Sequence, residues 1–120
     1  MPGIPVLIEG DVEFEDLASQ VSGATIYVRL EDVSLADAPS IRLAEQVIRD
    51  VTLRGPGQVT VPFSVQASIN DPNGQYVISV HVDLNGNGLV EPGDYITTES
   101  YPIPTPGETT RMLVTVRRVQ

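Results

Sequence analysis

The sequence predicts an all-β domain, an antiparallel β-sandwich of about seven strands. Three observations carry that expectation. Apolar and polar residues alternate with period two through most of the chain, the pattern of strands with one buried face. Clusters of Gly, Pro, Asn and Asp interrupt the alternation at short intervals, where hairpins and sheet crossings need them. The alternating runs are rich in Val, Ile, Thr and Tyr, which suit a pleated surface.

In chain order, Val6 to Phe14 reads as the first strand, and Ile26, Val28 and Leu30 mark a second. Residues 40 to 54 fit two patterns on their own evidence. Ile41, Ala44, Ile48 and Val51 would line a helix face with Ser40 as its N-cap. Ile41, Leu43, Val47, Val51 and Leu53 would line a strand face equally well. Val59, Val61, Phe63, Val65 and Ala67 alternate in the next strand, and Tyr76, Ile78, Val80 and Val82 form one face of another. Tyr95 to Tyr101 is β-branched and alternating, and Met112, Val114 and Val116 belong to the last strand. The turns fall at Ser22-Gly23, Gly55-Pro56-Gly57, Asp71 to Gly74, residues 83–94, and Pro102 to Gly107, a stiff extended spacer.

At 120 residues the chain is one domain, residues 1–120. The formal net charge is −9, and all seven basic residues are arginine. Phosphate neutralisation needs a basic face, so nucleic acid is excluded as a partner. There is no cysteine for a disulfide or thiolate site. No apolar run approaches the ~18 residues of a membrane helix, so no membrane span is expected. The start, Met1-Pro-Gly-Ile-Pro-Val-Leu-Ile8, lacks the basic n-region and cleavage site of a signal peptide, which leaves the compartment open.

The most specific local pattern is Asp83-Leu-Asn85-Gly-Asn87-Gly88-Leu89-Val-Glu91-Pro-Gly-Asp94. Side-chain oxygens stand at relative positions 1, 3, 5, 9 and 12, with glycine at 6. That is the layout of a twelve-residue calcium loop. Asp83, Asn85 and Asn87 can turn inward as the chain curls, and Gly88 permits the sharp turn. The Leu89 carbonyl would be the position-7 ligand, Glu91 would bind directly or through water, and Asp94 would close the loop. Asp is one methylene shorter than the usual closing Glu, and in this the loop resembles dockerin modules and the aspartate-rich loops of secreted β-proteins. Its affinity is expected at the weak, extracellular end, about 10⁻⁴ to 10⁻³ M. The competing reading is a metal-free hairpin turn, since Asn-Gly occurs here twice.

Thr25-Ile-Tyr-Val-Arg-Leu-Glu-Asp32-Val-Ser34-Leu-Ala-Asp37-Ala38-Pro39, Val61-Pro62-Phe63-Ser-Val65 and Tyr76-Val-Ile78-Ser-Val80 carry a family likeness. Over residues 24 to 118 the chain resembles the YscW/YbaY-type lipoprotein domain. That resemblance implies a small bacterial β-sandwich, exported and lipid-anchored, in a family with pilotin-type chaperones of type III secretion. It implies a protein partner, turns residues 40 to 54 toward strand, and suggests a periplasmic address. This chain has no lipobox cysteine, and the calcium pattern at 83–94 is not expected across the family. Read by itself, Asp32, Ser34 and Asp37 can bond nearby N–H groups and order an irregular turn.

No enzyme is predicted. There is a single histidine, His81, expected as a surface strand residue, and no nucleophile elbow, P-loop or zinc-protease motif. Glu9, Asp11, Glu13 and Glu15 would share one strand face with Asp16 nearby, read as a solvated acidic face. The leading expectation is a non-enzymatic β-sandwich module that binds or chaperones a protein, with calcium at 83–94. The alternatives are a structural or assembly domain with a metal-free loop, and a weak carboxylate hydrolase.

Overall fold

The computed structural model describes residues 3–35, 37–71, 73–103 and 110–120. The expected spacer from Pro102 to Gly107 lies outside the described residues except for Pro102 and Ile103. Seven strands follow in order: β1 (Ile4–Leu17), β2 (Val21–Asp32), β3 (Ile41–Leu53), β4 (Gly57–Ile69), β5 (Tyr76–Asp83), β6 (Tyr95–Ile96) and β7 (Thr110–Arg118). The described residues contain no helix. Residues 40 to 54 are thus settled as strand, paired along β2 from Val21↔Leu53 to Asp32↔Ile41.

The expected sandwich is corrected in two respects. The strands form one sheet, ordered β3-β2-β5-β6-β7-β1-β4, which rolls until its end strands β3 and β4 approach each other. It is a nearly closed barrel. Among the described residues β3 and β4 share no backbone ladder; instead the Ser64 N–H donates to Gln46 Oε1 at 2.8 Å across the seam. The sheet is also not wholly antiparallel, because β7 lies parallel to β1, from Ile8↔Thr110 to Phe14↔Val116. Period-two alternation is the same for a sandwich, a barrel, and parallel or antiparallel neighbours, so it could not tell them apart.

The core is the inner face of the roll. Val6, Ile8, Val12 and Phe14 of β1 meet Ala24, Ile26, Val28 and Leu30 of β2, with Phe63 and Val65 of β4, Ile78, Val80 and Val82 of β5, and Val114 and Val116 of β7. Phe14 meets Tyr95 edge-on, with ring centroids 5.2 Å apart. Gly10 is the one inward position of β1 between Ile8 and Val12 with no side chain, and the β7 backbone at Met112 fills its place.

The expected strand 95–101 is realised in two pieces. β6 pairs His81↔Ile96 and Val82↔Tyr95, and Thr97 then takes the Val80 N–H on its Oγ1 at 3.2 Å. A side chain that competes for ladder groups breaks regular pairing. Contact with β5 resumes where the Ile78 N–H reaches the Tyr101 carbonyl at 2.9 Å and the Ile103 N–H the Tyr76 carbonyl at 3.1 Å. Because β6 is so short, the Tyr101 hydroxyl takes the Thr115 N–H of β7 at 3.1 Å.

The acidic row of β1 is not simply solvated. Glu9, Asp11 and Glu13 are half-buried. Asp11 pairs with Arg111 at 3.3 Å, Glu15 with Arg117 at 3.3 Å, and Glu13 accepts from Thr115 Oγ1 at 3.1 Å and Gln58 Nε2 at 2.9 Å. The parallel register of β7 brings Arg111, Thr115 and Arg117 alongside, so like-charge repulsion within the row is offset by cations on the next strand.

Candidate functional site

The 83–94 segment is the connection between β5 and β6. It folds back over the outer face of β5 and buries what lies beneath. Asp83 is 0% exposed and Asp94 2%, although every residue from Asn85 to Val90 is exposed. Buried carboxylates need strong partners, and here backbone amides supply them. Asp83 Oδ1 accepts the N–H groups of Asn85 (3.3 Å) and Gly86 (3.0 Å), and its Oδ2 that of Gly88 (2.6 Å). Gly86 and Gly88 both sit at φ +76°, a left-handed backbone that glycine adopts without strain and that turns successive amides toward Asp83.

Asp94 closes the loop from the other end. Its Oδ1 accepts from Leu84 N–H at 3.1 Å and its Oδ2 from Glu91 N–H at 3.3 Å. Asn85 Oδ1 takes the Asn87 N–H at 3.2 Å, Asn87 Oδ1 the Leu89 N–H at 2.9 Å, and Asn85 Nδ2 donates to Glu91 Oε1. All six residues predicted as ligands therefore belong to one internally bonded loop. Among the described residues no three His, Asp or Glu side chains gather around a common point as a metal cluster. The loop joins two antiparallel strands, a connection common to both readings of the segment.

His81 was expected at the surface and is instead 4% exposed. The 83–94 loop covers it, and its Nε2 lies 3.0 Å from Asp94 Oδ2. With the carboxylate as acceptor, Nε2 carries the proton. The imidazole stacks on Tyr27, with centroids 5.7 Å apart and planes at 22°. The Arg29 guanidinium lies 5.0 Å from the Tyr27 ring centroid, and Arg29 Nε donates to Glu45 at 2.7 Å. The sequence carried half of this arrangement, because His81 and Asp83 alternate onto one face; the loop's return over that face was the missing half.

The nearby hydroxyls are occupied elsewhere. Ser79 Oγ donates to Glu31 at 2.9 Å, and Thr97 Oγ1 accepts from the Val80 N–H at 3.2 Å.

At the far end of the sheet, the Asp32-Val-Ser34 segment ties two connections together. The Ser34 N–H donates to Asp32 Oδ1 at 2.9 Å, the Gln75 N–H to Ser34 Oγ at 2.9 Å, and the Val33 N–H to the Gln75 carbonyl at 2.8 Å. The Ser34 hydroxyl and N–H hold the Asp32 carboxyl below its ordinary 3.8. Among the described bonds Asp37 takes no part in this turn. A cleft of about 340 Å³ opens beside it, between Val33, Gln75, Tyr76 and Pro102. Three large apolar residues stand exposed at this end: Leu35 in the connection (69%), Ile41 (56%) and Leu43 (37%) at the start of β3. The strand pattern expected Ile41 and Leu43 on one apolar face with Val47, Val51 and Leu53; the structure instead leaves both exposed at the start of the end strand β3, and Leu35 was given no role by the sequence.

Tyr76 anchors the cleft floor, its hydroxyl donating to the Asp71 carbonyl at 2.7 Å. Burial raises its phenol above the ordinary 10.0, and the Asp32 and Asp71 charges add to the rise. A raised folded-state value favours the protonated form. The stability it carries is complete below about pH 10 and is lost as pH rises through the folded value. Alkaline melts are expected to fall more steeply for the wild type than for Tyr76→Phe. A tyrosinate absorbance titration should show a late-ionising component from Tyr76, and that component should vanish in the variant.

The fold and these sites define a class first: a small rolled β-sheet domain with hydrogen-bonded polar groups buried beneath its 83–94 loop and apolar side chains exposed at one end. The chain belongs to the family of type III secretion system lipoprotein chaperones (YscW), whose model matches residues 5–116. Among solved structures it is similar to an alternative pilotin from the type II secretion system of Vibrio cholerae, with a TM-score of 0.75 over 97% of this chain and 98% of that one. At 24% identity that likeness speaks for the fold. No curated protein sequence matches the chain.

Proposed function

We propose that this domain is a non-enzymatic chaperone-type module that binds a protein component of a bacterial secretion apparatus. In this reading it works in the cell envelope. The observation that carries the proposal is the family match across residues 5–116; the pilotin-like fold supports it. Leu35, Ile41 and Leu43 supply the contact surface, since exposed apolar side chains at a sheet edge gain most from being covered. Each contributes roughly 1 to 2 kcal/mol on burial. Co-expression with the secretion-system components of the same genome should yield a co-purifying complex. The Ile41→Ser/Leu43→Ser variant should melt like the wild type and lose that complex. A complex that survives the double variant would move the contact elsewhere, and no complex with any component would sink the reading.

Calcium at the 83–94 loop is the finer part of the proposal. Asp83, Asn85, Asn87, Glu91 and Asp94 would offer side-chain oxygens and Leu89 its carbonyl. Supporting it are the ligand spacing and a loop that already curls its carboxylates inward. A cation that binds only the folded form adds about 1.4 kcal/mol at ten times its Kd. Melts in several millimolar calcium should therefore rise above those in EDTA, with magnesium giving less, and Asp94→Ala should abolish the difference. Equal melts in all three would leave the segment as a self-bonded hairpin connection.

A further inference from the structure

The two Asn-Gly pairs of the loop, Asn85-Gly86 and Asn87-Gly88, carry a chemistry that neither partner binding nor calcium uses. Glycine has no Cβ, so the amide nitrogen that follows asparagine can reach the side-chain carbonyl with little steric opposition. We propose that Asn87 is a site of spontaneous conversion to aspartate and isoaspartate, and that Asp83 restrains this conversion while the loop is folded.

The reaction needs only water. The Gly88 nitrogen bonds to Asn87 Cγ and loses its proton to solvent. The Cγ–Nδ2 bond breaks and ammonia leaves, giving a five-membered succinimide. Water then opens the ring at either carbonyl, which yields aspartate or isoaspartate. No electrons are exchanged.

Both reacting groups are hydrogen-bonded to other partners in the folded loop. The Gly88 N–H is committed to Asp83 Oδ2 at 2.6 Å, and Asn87 Oδ1 to the Leu89 N–H at 2.9 Å. Asp83 is fully buried, so its hold does not depend on a mobile surface group. Ring closure requires the Gly88 nitrogen to leave Asp83 and turn toward Asn87 Cγ. The same geometry orders the two sites. The Asn85 carboxamide is tied at both ends, through Oδ1 to the Asn87 N–H and through Nδ2 to Glu91. The bonds described for Asn87 engage only its oxygen, and its side chain is exposed. Asn87 therefore converts first. The product carries a new negative charge in a loop that already holds Asp83, Glu91 and Asp94, and isoaspartate adds a methylene to the main chain beside the Gly88 bond. Conversion loosens the cover over His81.

The test is incubation of the full chain at mildly alkaline pH, with peptide mapping of residues 83–94 by mass spectrometry and isoaspartate-sensitive fragmentation. Three samples are compared: folded wild type, wild type held unfolded in urea, and folded Asp83→Asn. Conversion at Asn87 in the folded wild type should be about ten- to hundredfold slower than in urea, the weight of the charge-assisted hydrogen bond from Gly88 to Asp83 that must open. Within the folded chain Asn87 should precede Asn85. Asp83→Asn, shown to be folded by its melt, should approach the unfolded rate. Equal rates folded and unfolded would overturn the proposal, as would Asn85 converting first. A folded Asp83→Asn that converts no faster than wild type would also overturn it. The order of the two sites is read in the wild-type chain, so the proposal stays testable if that variant fails to fold.

Discussion

Gly10→Ala is expected to destabilise the domain by at least about 3 kcal/mol, enough to leave a domain of this size marginal or unfolded. Gly10 lies at the middle of β1, opposite Phe63 on β4 and beside Met112 on β7. A Cβ there would collide with the Met112 carbonyl oxygen and lie 2.8 Å from its carbonyl carbon. The obstacle is backbone of a central strand, fixed by its own ladder, so it cannot move aside as a side-chain tip would. Overpacking a core costs about 1 to 3 kcal/mol when side chains can adjust, and here the β1–β7 pairing itself must part. The inward row of β1 reads Val6, Ile8, Gly10, Val12, Phe14, and the gap in that row is where the sheet rolls tightly enough for β7 to fill the space. Gly23→Ala is the control. Its site is open, and only its φ of +76° opposes a side chain, so it should cost about 1 kcal/mol. Chemical denaturation of both variants decides the matter. A Gly10→Ala domain as stable as Gly23→Ala would mean that β1 and β7 do not approach as described.

Asp83→Ala, measured in EDTA so that no cation enters, is expected to cost about 3 kcal/mol. The carboxylate is fully buried and accepts three backbone N–H groups, from Asn85, Gly86 and Gly88. Hydrogen bonds to a charged acceptor are worth about 1.5 to 3 kcal/mol each. Exposure of the loop backbone lets water recover part of that loss, so the total falls well below the sum. Glu91→Ala should cost less than about 1 kcal/mol in the same buffer, because its side chain meets Asn85 at the surface. The comparison separates structure from cation binding. A loop that matters only as a ligand cage would show both variants near wild type in EDTA, and that result would refute the structural role given to Asp83.

How much of this was legible in the sequence differs from element to element. Alternation located β1, β4, β5 and β7 to within a few residues and the middle of β2, because a strand with one buried face has to show period two; the turn expected at Ser22-Gly23 is instead an irregularity inside β2, which already begins at Val21. Residues 40 to 54 were open on pattern alone, and β3 explains why. It is an end strand with much of its length exposed or half-buried, so neither of its faces is apolar enough to mark a period. The family likeness turned this segment toward strand, and the structure agrees. The calcium-like spacing identified the loop and the inward-turned residues Asp83 and Asp94, but gave no hint that backbone amides would take up their oxygens.

The sequence by itself determined the all-β class, the inward-facing residues of β1, β2 and β5, the breaks at 55–57 and 83–94, and the family likeness, since each is written in local spacing or in a contiguous motif. Only the tertiary structure decided that the sheet rolls rather than splitting into two layers, that β7 returns parallel to β1, and that His81 lies buried beneath Asp94. These depend on which distant strands become neighbours. That choice is made by the packing of the whole inner surface and leaves no mark on the order of residues within any one strand.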